Sequence, residues 1–239
     1  MRAIALAALG VLAAAGTAAA STLSVAPVRV ELSSAAPIAV LTVRNQDDSA
    51  VVVQARPAAW SQNDDHDQLD DTHDLLVTPP LFTIPPRGQQ IVRIALLRKV
   101  DPSRELDYRL VLSEVPPAAP ANPSELRVAL RITLPVFVVS IRHSSADLSW
   151  HHTLLPDGTL RIEADNHGAA HIQILDFDAA SMDHAEQRWH TSGARYLLPG
   201  SSAHWELKSV PGLTATTRLT IRGHSDAGDF SVASEPAAK

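Results

Sequence analysis

From Ser21 onward the chain alternates hydrophobic and polar residues in short runs, set apart by clusters of Pro, Asn, Asp and Ser. Val28, Val30 and Leu32 alternate with Arg29 and Glu31, residues 40–44 and 51–55 follow, and Ile91, Arg93 and Ala95 interleave with Val92, Ile94 and Leu96. A period of two sends successive side chains to opposite faces, so these runs are predicted strands. The pattern returns in residues 160–164, 171–177, 196–198, 205–207 and 219–222. No apolar stripe spaced i, i+3, i+4, i+7 lasts for a dozen residues, so no long amphipathic helix is expected. Short strands with turn residues between them predict an all-β protein of immunoglobulin-like β-sandwiches, although the Cys…Trp…Cys hallmark of antibody domains is missing.

The longest alternation places Leu126, Val128, Leu130, Ile132, Leu134 and Val136 on one face, with Arg127, Ala129, Arg131 and Thr133 on the other. That is more than one half-buried strand needs, yet taken alone such a face reads first as part of the chain's own core. The apolar run 134–139 then gives way to the polar stretch 142–147. A domain boundary near Ser140 leaves one sandwich in residues 21–140 and another in 141–239. Residues 61–74 hold six Asp and two His and read as a solvated turn between strands. Residues 116–123 hold four Pro and read as an extended segment.

Composition narrows the function classes. The chain has 239 residues, a formal charge of −6 and only 4 Phe, 2 Tyr and 4 Trp, so its cores are expected to be aliphatic. An acidic balance argues against nucleic acid or an anionic membrane as partner. Arg2, an apolar run over residues 3–15 and Ala18-Ala19-Ala20 before Ser21 make a secretory signal peptide over residues 1–20, too short to span a bilayer. The mature chain is expected outside the cytoplasm, without membrane insertion. With 0 Cys there is no disulfide and no thiol nucleophile. No G-x-S-x-G elbow, G-x-x-x-x-G-K-[ST] loop or H-E-x-x-H helix occurs, so neither an enzyme nor a cofactor is expected. A metal module on the 61–74 loop or on His151-His152 is a rival reading, but the loop lacks the Gly and closing Glu of an EF-hand.

Several strings together resemble the PapD-like periplasmic chaperones of pilus assembly. They are Ser24-Val25-Ala26-Pro27-Val28-Arg29-Val30, Thr78-Pro79-Pro80 through Pro85-Pro86, Gln90-Ile91-Val92-Arg93, Tyr108-Arg109-Leu110 leading to Glu114-Val115-Pro116, and the run from Leu126 to Phe137. Asn166-His167-Gly168 and Tyr196-Leu197-Leu198-Pro199-Gly200 extend the likeness into the second half. The resemblance implies two immunoglobulin-like sandwiches set at an angle around a cleft. It also implies donor-strand complementation, in which the chaperone lends a strand to a pilus subunit until an outer-membrane usher replaces it. Leu126, Val128, Leu130 and Ile132 then become the subunit-binding face. The family holds the subunit's terminal carboxylate with two cations; Arg29 matches one, Pro135 stands at the other, and Arg109 is the substitute candidate. This departure and the Leu134-Pro135-Val136-Phe137 string are similar to the archaic branch serving spore-coat-U-like pili. Glu105 and Asp226 match acidic members of an interdomain ion cluster whose Arg corresponds to Val139, so the cluster is expected to be incomplete. A pilin or adhesin is the structural rival.

Overall fold

The computed structural model describes residues 22–116, 128–140, 142, 144–182, 187–208, 212–214 and 216–236. Among them the chain forms strands and no helix. The first half contains β1 (Leu23–Ala26), β2 (Val30–Leu32), β3 (Ile38–Asn45), β4 (Val51–Asn63), β5 (His66–Asp71), β6 (Leu75–Thr78), β7 (Leu81–Ile84), β8 (Gln89–Leu96), β9 (Leu106–Glu114) and β10 (Arg131–Val138). One sheet runs β1-β3-β8-β6 and the other β2-β10-β9-β4-β5, with β7 also on β4. The alternating residues read from the sequence supply the core between them: Val30, Leu32, Leu41, Val43, Val92, Ile94, Leu110, Leu134 and Val136 are all buried.

The second half contains β11 (Leu148–Leu154), β12 (Leu160–Asn166), β13 (Ile172–Ser181), β14 (Arg188–Leu197), β15 (Ser202–Leu207), β16 (Leu219–Ser225) and β17 (Gly228–Pro236). They form one path, β14-β13-β16-β17-β11-β12-β15, wrapped around a separate core that includes Trp150, Phe177, Trp205 and Ile221. Trp150 stacks on Trp205 and Phe230, with ring centroids 5.7 and 5.5 Å apart. Half of the chain's few Phe, Tyr and Trp rings are therefore spent here, while the first core is largely aliphatic.

Two buried asparagines close matching turns. The Asn45 side chain donates to the carbonyls of Ser49, Ile84 and Pro85 and accepts from the Asp47 N–H. Asn166 donates to the carbonyls of Ala170 and Leu197 and accepts from the N–H groups of Asp147 and Gly168. Each satisfies main-chain groups that the end of a strand leaves without a ladder partner. The Asn166-His167-Gly168 string needs its glycine, because a Cβ there would collide with the Ser145 carbonyl.

The acidic stretch 61–74 corrects the sequence reading. It is no solvated turn: β4 runs on to Asn63, reverses at Asp64 and Asp65 with φ of 47° and 66°, and returns as β5. Two left-handed residues in a two-residue turn suit a twisted hairpin, and Asp tolerates that region better than most side chains. The strand was hidden because β5 carries a single apolar residue, Leu69. Pro57 fits within β4 for a similar local reason. The Ala55 N–H, two residues earlier, points to Pro80, so residue 57 faces the same side, where β7 has ended and β5 has not begun. Its missing donor leaves no acceptor waiting.

Candidate functional site

The strand β10 pairs along its whole length with β9, from Arg131 opposite Ser113 to Val138 opposite Leu106. On its other side β2 covers only Val136–Val138. Two hydrogen bonds fix the main-chain directions: the Glu114 N–H donates to the Leu130 carbonyl, and the Val139 N–H to the Leu32 carbonyl, each at 2.8 Å. Even-numbered residues of β10 therefore turn their main-chain groups toward β9 and odd-numbered residues toward the opposite edge. Among the described residues, the main-chain groups of Arg131 and Thr133 meet no strand there, and Pro135 has no N–H to offer.

The even side chains grade along this strand. Val136 and Leu134 lie in the first core, Ile132 packs at its rim, Leu130 is half-buried, and Val128 is 57% exposed. One apolar face thus begins inside the sandwich and continues past it. Leu126 falls outside the described residues.

The two candidate cations sit on the other face of this sheet, toward the second sandwich. Arg29 lies between β1 and β2. Its guanidinium donates to Glu31 at 2.8 Å and to Asp226 at 2.7 Å, and lies 5.8 Å from the Phe137 ring centroid. Arg109, directly opposite Pro135, lies 3.5 Å from the Trp60 ring centroid and pairs with Asp67 at 3.2 Å. Arg109 is on β9 and Arg29 immediately precedes β2 of the same sheet, and both already have acidic partners.

Between the sandwiches an aromatic cluster of Trp60, Phe137 and Leu198, with Leu69 and Tyr196 against it, is closed by the hairpin. Gln62 donates to the Tyr196 carbonyl and accepts from the Leu198 N–H and the Ser201 hydroxyl. Asp65 at the hairpin tip receives Arg195 at 2.6 Å. The acidic stretch therefore docks one domain on the other.

The interdomain ion cluster is also complete, contrary to expectation, because His171 supplies the cation that Val139 cannot. Its backbone N–H and Nδ1–H both donate to Glu105, at 3.0 and 2.6 Å, and its Nε2 lies 3.6 Å from Asp226. The imidazole stacks on Phe137 with centroids 3.5 Å apart. Burial opposes the charge on His171, but its bonds to Asp226 and Glu105 prevail and lift its pKa to about 9. Burial would raise Asp226, yet His171, the Gln173 N–H and Arg29 bring it down to about 2. Asp107 goes the other way: burial, with Glu105 beside it, pushes it up to about 8. Glu105 and His171 are 66 residues apart, so no spacing rule could have paired them.

The comparisons with known proteins agree with this architecture. A chain of the CsuC–CsuE chaperone–tip adhesion subunit pre-assembly complex, from archaic chaperone-usher Csu pili of Acinetobacter baumannii, superimposes with a TM-score of 0.66 at 14% identity, covering 89% of this chain and 97% of that one. The Escherichia coli chaperone DraB gives a TM-score of 0.59 at 18% identity over 93% of this chain and 99% of its own. The Salmonella enterica SafA pilin–SafB chaperone complex gives 0.59 at 17% identity, covering 90% and 96%. No curated protein matches the sequence significantly. The model for the PapD N-terminal domain of pili and flagellar-assembly chaperones matches residues 22–139, the segment that holds both sheets, the open edge of β10 and Arg29. The chain belongs to the family of PapD-like pilus-assembly chaperones.

Proposed function

We propose that the protein is a periplasmic chaperone that binds pilus subunits along β10, caps them by lending that strand, and delivers them to an outer-membrane usher. The observation that carries this reading is the half-open strand: a main-chain edge that meets no other strand at Arg131 and Thr133 among the described residues, beside an apolar face that grades from buried Leu134 to exposed Val128. An incoming groove can take both the edge and the face, which is β-strand addition. Leu126, Val128, Leu130 and Ile132 are the assigned subunit-binding side chains. Burying each stabilises the complex by about 1.5–3 kcal/mol at most. The neighbour from the Csu pathway and the absence of a cation at residue 135 support assignment to the archaic branch. The domains are residues 21–140 and 141–239, after removal of residues 1–20. The reading is one of binding and contains no catalytic step.

Periplasmic co-expression with the cognate subunit tests it. Val128→Asp and Leu130→Asp should reduce recovered subunit to background, since a carboxylate cannot enter an apolar groove unpaired. The free chaperone should melt within a few degrees of wild type. Full subunit recovery by both folded variants would sink the proposal.

Arg29 and Arg109 are the cations we assign to the subunit's terminal carboxylate. A carboxylate arriving there competes with Glu31 and Asp226 for Arg29 and with Asp67 for Arg109. Arg29→Ala and Arg109→Ala should each lower subunit yield, and the double variant should lose less than the sum because both act on one group. A folded Arg109→Ala protein with full yield removes Arg109 from the anchor.

A further inference from the structure

The junction between the sandwiches holds a set of ligand groups as well as an ion chain. A carboxylate oxygen from each of Glu105 and Asp107 and a ring nitrogen of His171 lie within 4.8 Å of one another, the sole such trio among the described residues. Glu105 and Asp107 are two apart on extended chain, so both project to one side, and His171 comes to meet them from the other domain. The ion chain leaves one of these atoms unused: Asp107 Oδ1 is shielded from solvent and has no hydrogen-bond partner. A buried acceptor left in this state is costly, and a cation would satisfy it.

The second layer is also in place. Behind the imidazole, Nε2 faces Asp226, which is itself held by the Gln173 N–H at 2.8 Å and by Arg29 at 2.7 Å. A carboxylate behind a ligating His fixes the ring and its tautomer in many zinc sites. Arg29 does not place an unbalanced charge there, because Glu31 and Asp226 both pair with it. Two oxygens and one nitrogen suit Zn²⁺, whereas Mg²⁺ and Ca²⁺ prefer oxygen-rich shells.

We propose that Glu105, Asp107 and His171 form a binding site for a divalent transition metal of the Zn²⁺ class, which ties the two domains together. On binding, the metal takes the Nδ1 lone pair and an oxygen of each carboxylate, and both the proton that Nδ1 donates to Glu105 and the proton shared by the Glu105–Asp107 pair leave to solvent. The imidazole keeps its Nε2–H toward Asp226.

Calorimetric titration of the chelator-treated protein with Zn²⁺ tests the site. One equivalent should bind, and the melting temperature should rise by roughly 5–10 °C at a hundredfold excess over Kd, with no rise for Mg²⁺. Asp107→Asn preserves shape and a hydrogen bond to Glu105 but should lose that equivalent. A His151→Asn, His167→Asn double variant removes the neighbouring pair at Ser149 and should keep it. Co²⁺ gives a reading on the unaltered chain: a site of low coordination number should develop a visible absorption band that Zn²⁺ abolishes. Absence of stoichiometric binding or of the band, or undiminished binding by Asp107→Asn, overturns the proposal.

Discussion

The second core hides a histidine with a definite protonation state. His152 is 3% exposed, its Nε2–H donates to the Thr217 carbonyl, and its Nδ1 accepts from the Ser234 hydroxyl. The neutral ring satisfies both bonds, and burial lowers its pKa below the ordinary 6.5. Unfolded chain then takes up a proton more readily than native chain. Stability from this residue is complete above about pH 6.5 and is lost as pH falls toward the native pKa, by at most about 1.4 kcal/mol per pH unit. Thermal melts from pH 7.5 to 5 should show the decline, and His152→Asn should flatten it even though its melting point is lower throughout.

At the scale of elements, the sequence was legible wherever burial imposed a period of two. The strands β3, β8, β12 and β16 follow the alternation because each has one face on a core. The strand β5 was illegible because both of its faces are mostly polar; what holds it is the turn at Asp64-Asp65 and its register on β4. Asn45 and Asn166 play the same part in the two sandwiches, yet no spacing marks them, since their partners are carbonyls brought close only by folding. The strand β10 was read correctly as alternating, but the alternation could not say where the chaperone's core ends. The structure puts that limit near Ile132, which packs at the rim. Ile132→Asp should therefore lower both the melting temperature and subunit yield, whereas the same change at Val128 should affect yield alone. Melting curves measured alongside co-purification separate the two. Pro135 adds a local limit: it has no N–H to offer an incoming strand, so pairing from Arg131 and Thr133 stops where β2 begins.

Among the described residues the two sandwiches are braced by the aromatic cluster, the Gln62 and Asp65 contacts, and the ion chain. Phe137 is 0% exposed and joins two of them, packing on Trp60 and stacking on His171. Truncating it to Ala should cost about 3–5 kcal/mol. Because that loss falls on the junction, calorimetry should show one unfolding transition in the wild type and two in the variant. A single transition in both would mean the domains are coupled elsewhere. Arg29 has a consequence that reaches across the same junction. It is the assigned anchor for a subunit and at once the partner of Asp226, whose other contacts belong to the second domain. A subunit carboxylate that draws Arg29 away leaves Asp226 to His171, so capture of cargo and the set of the hinge are thermodynamically linked. Such linkage is reciprocal: by whatever factor a bound subunit loosens the junction, a tighter junction weakens the grip on the subunit by the same factor.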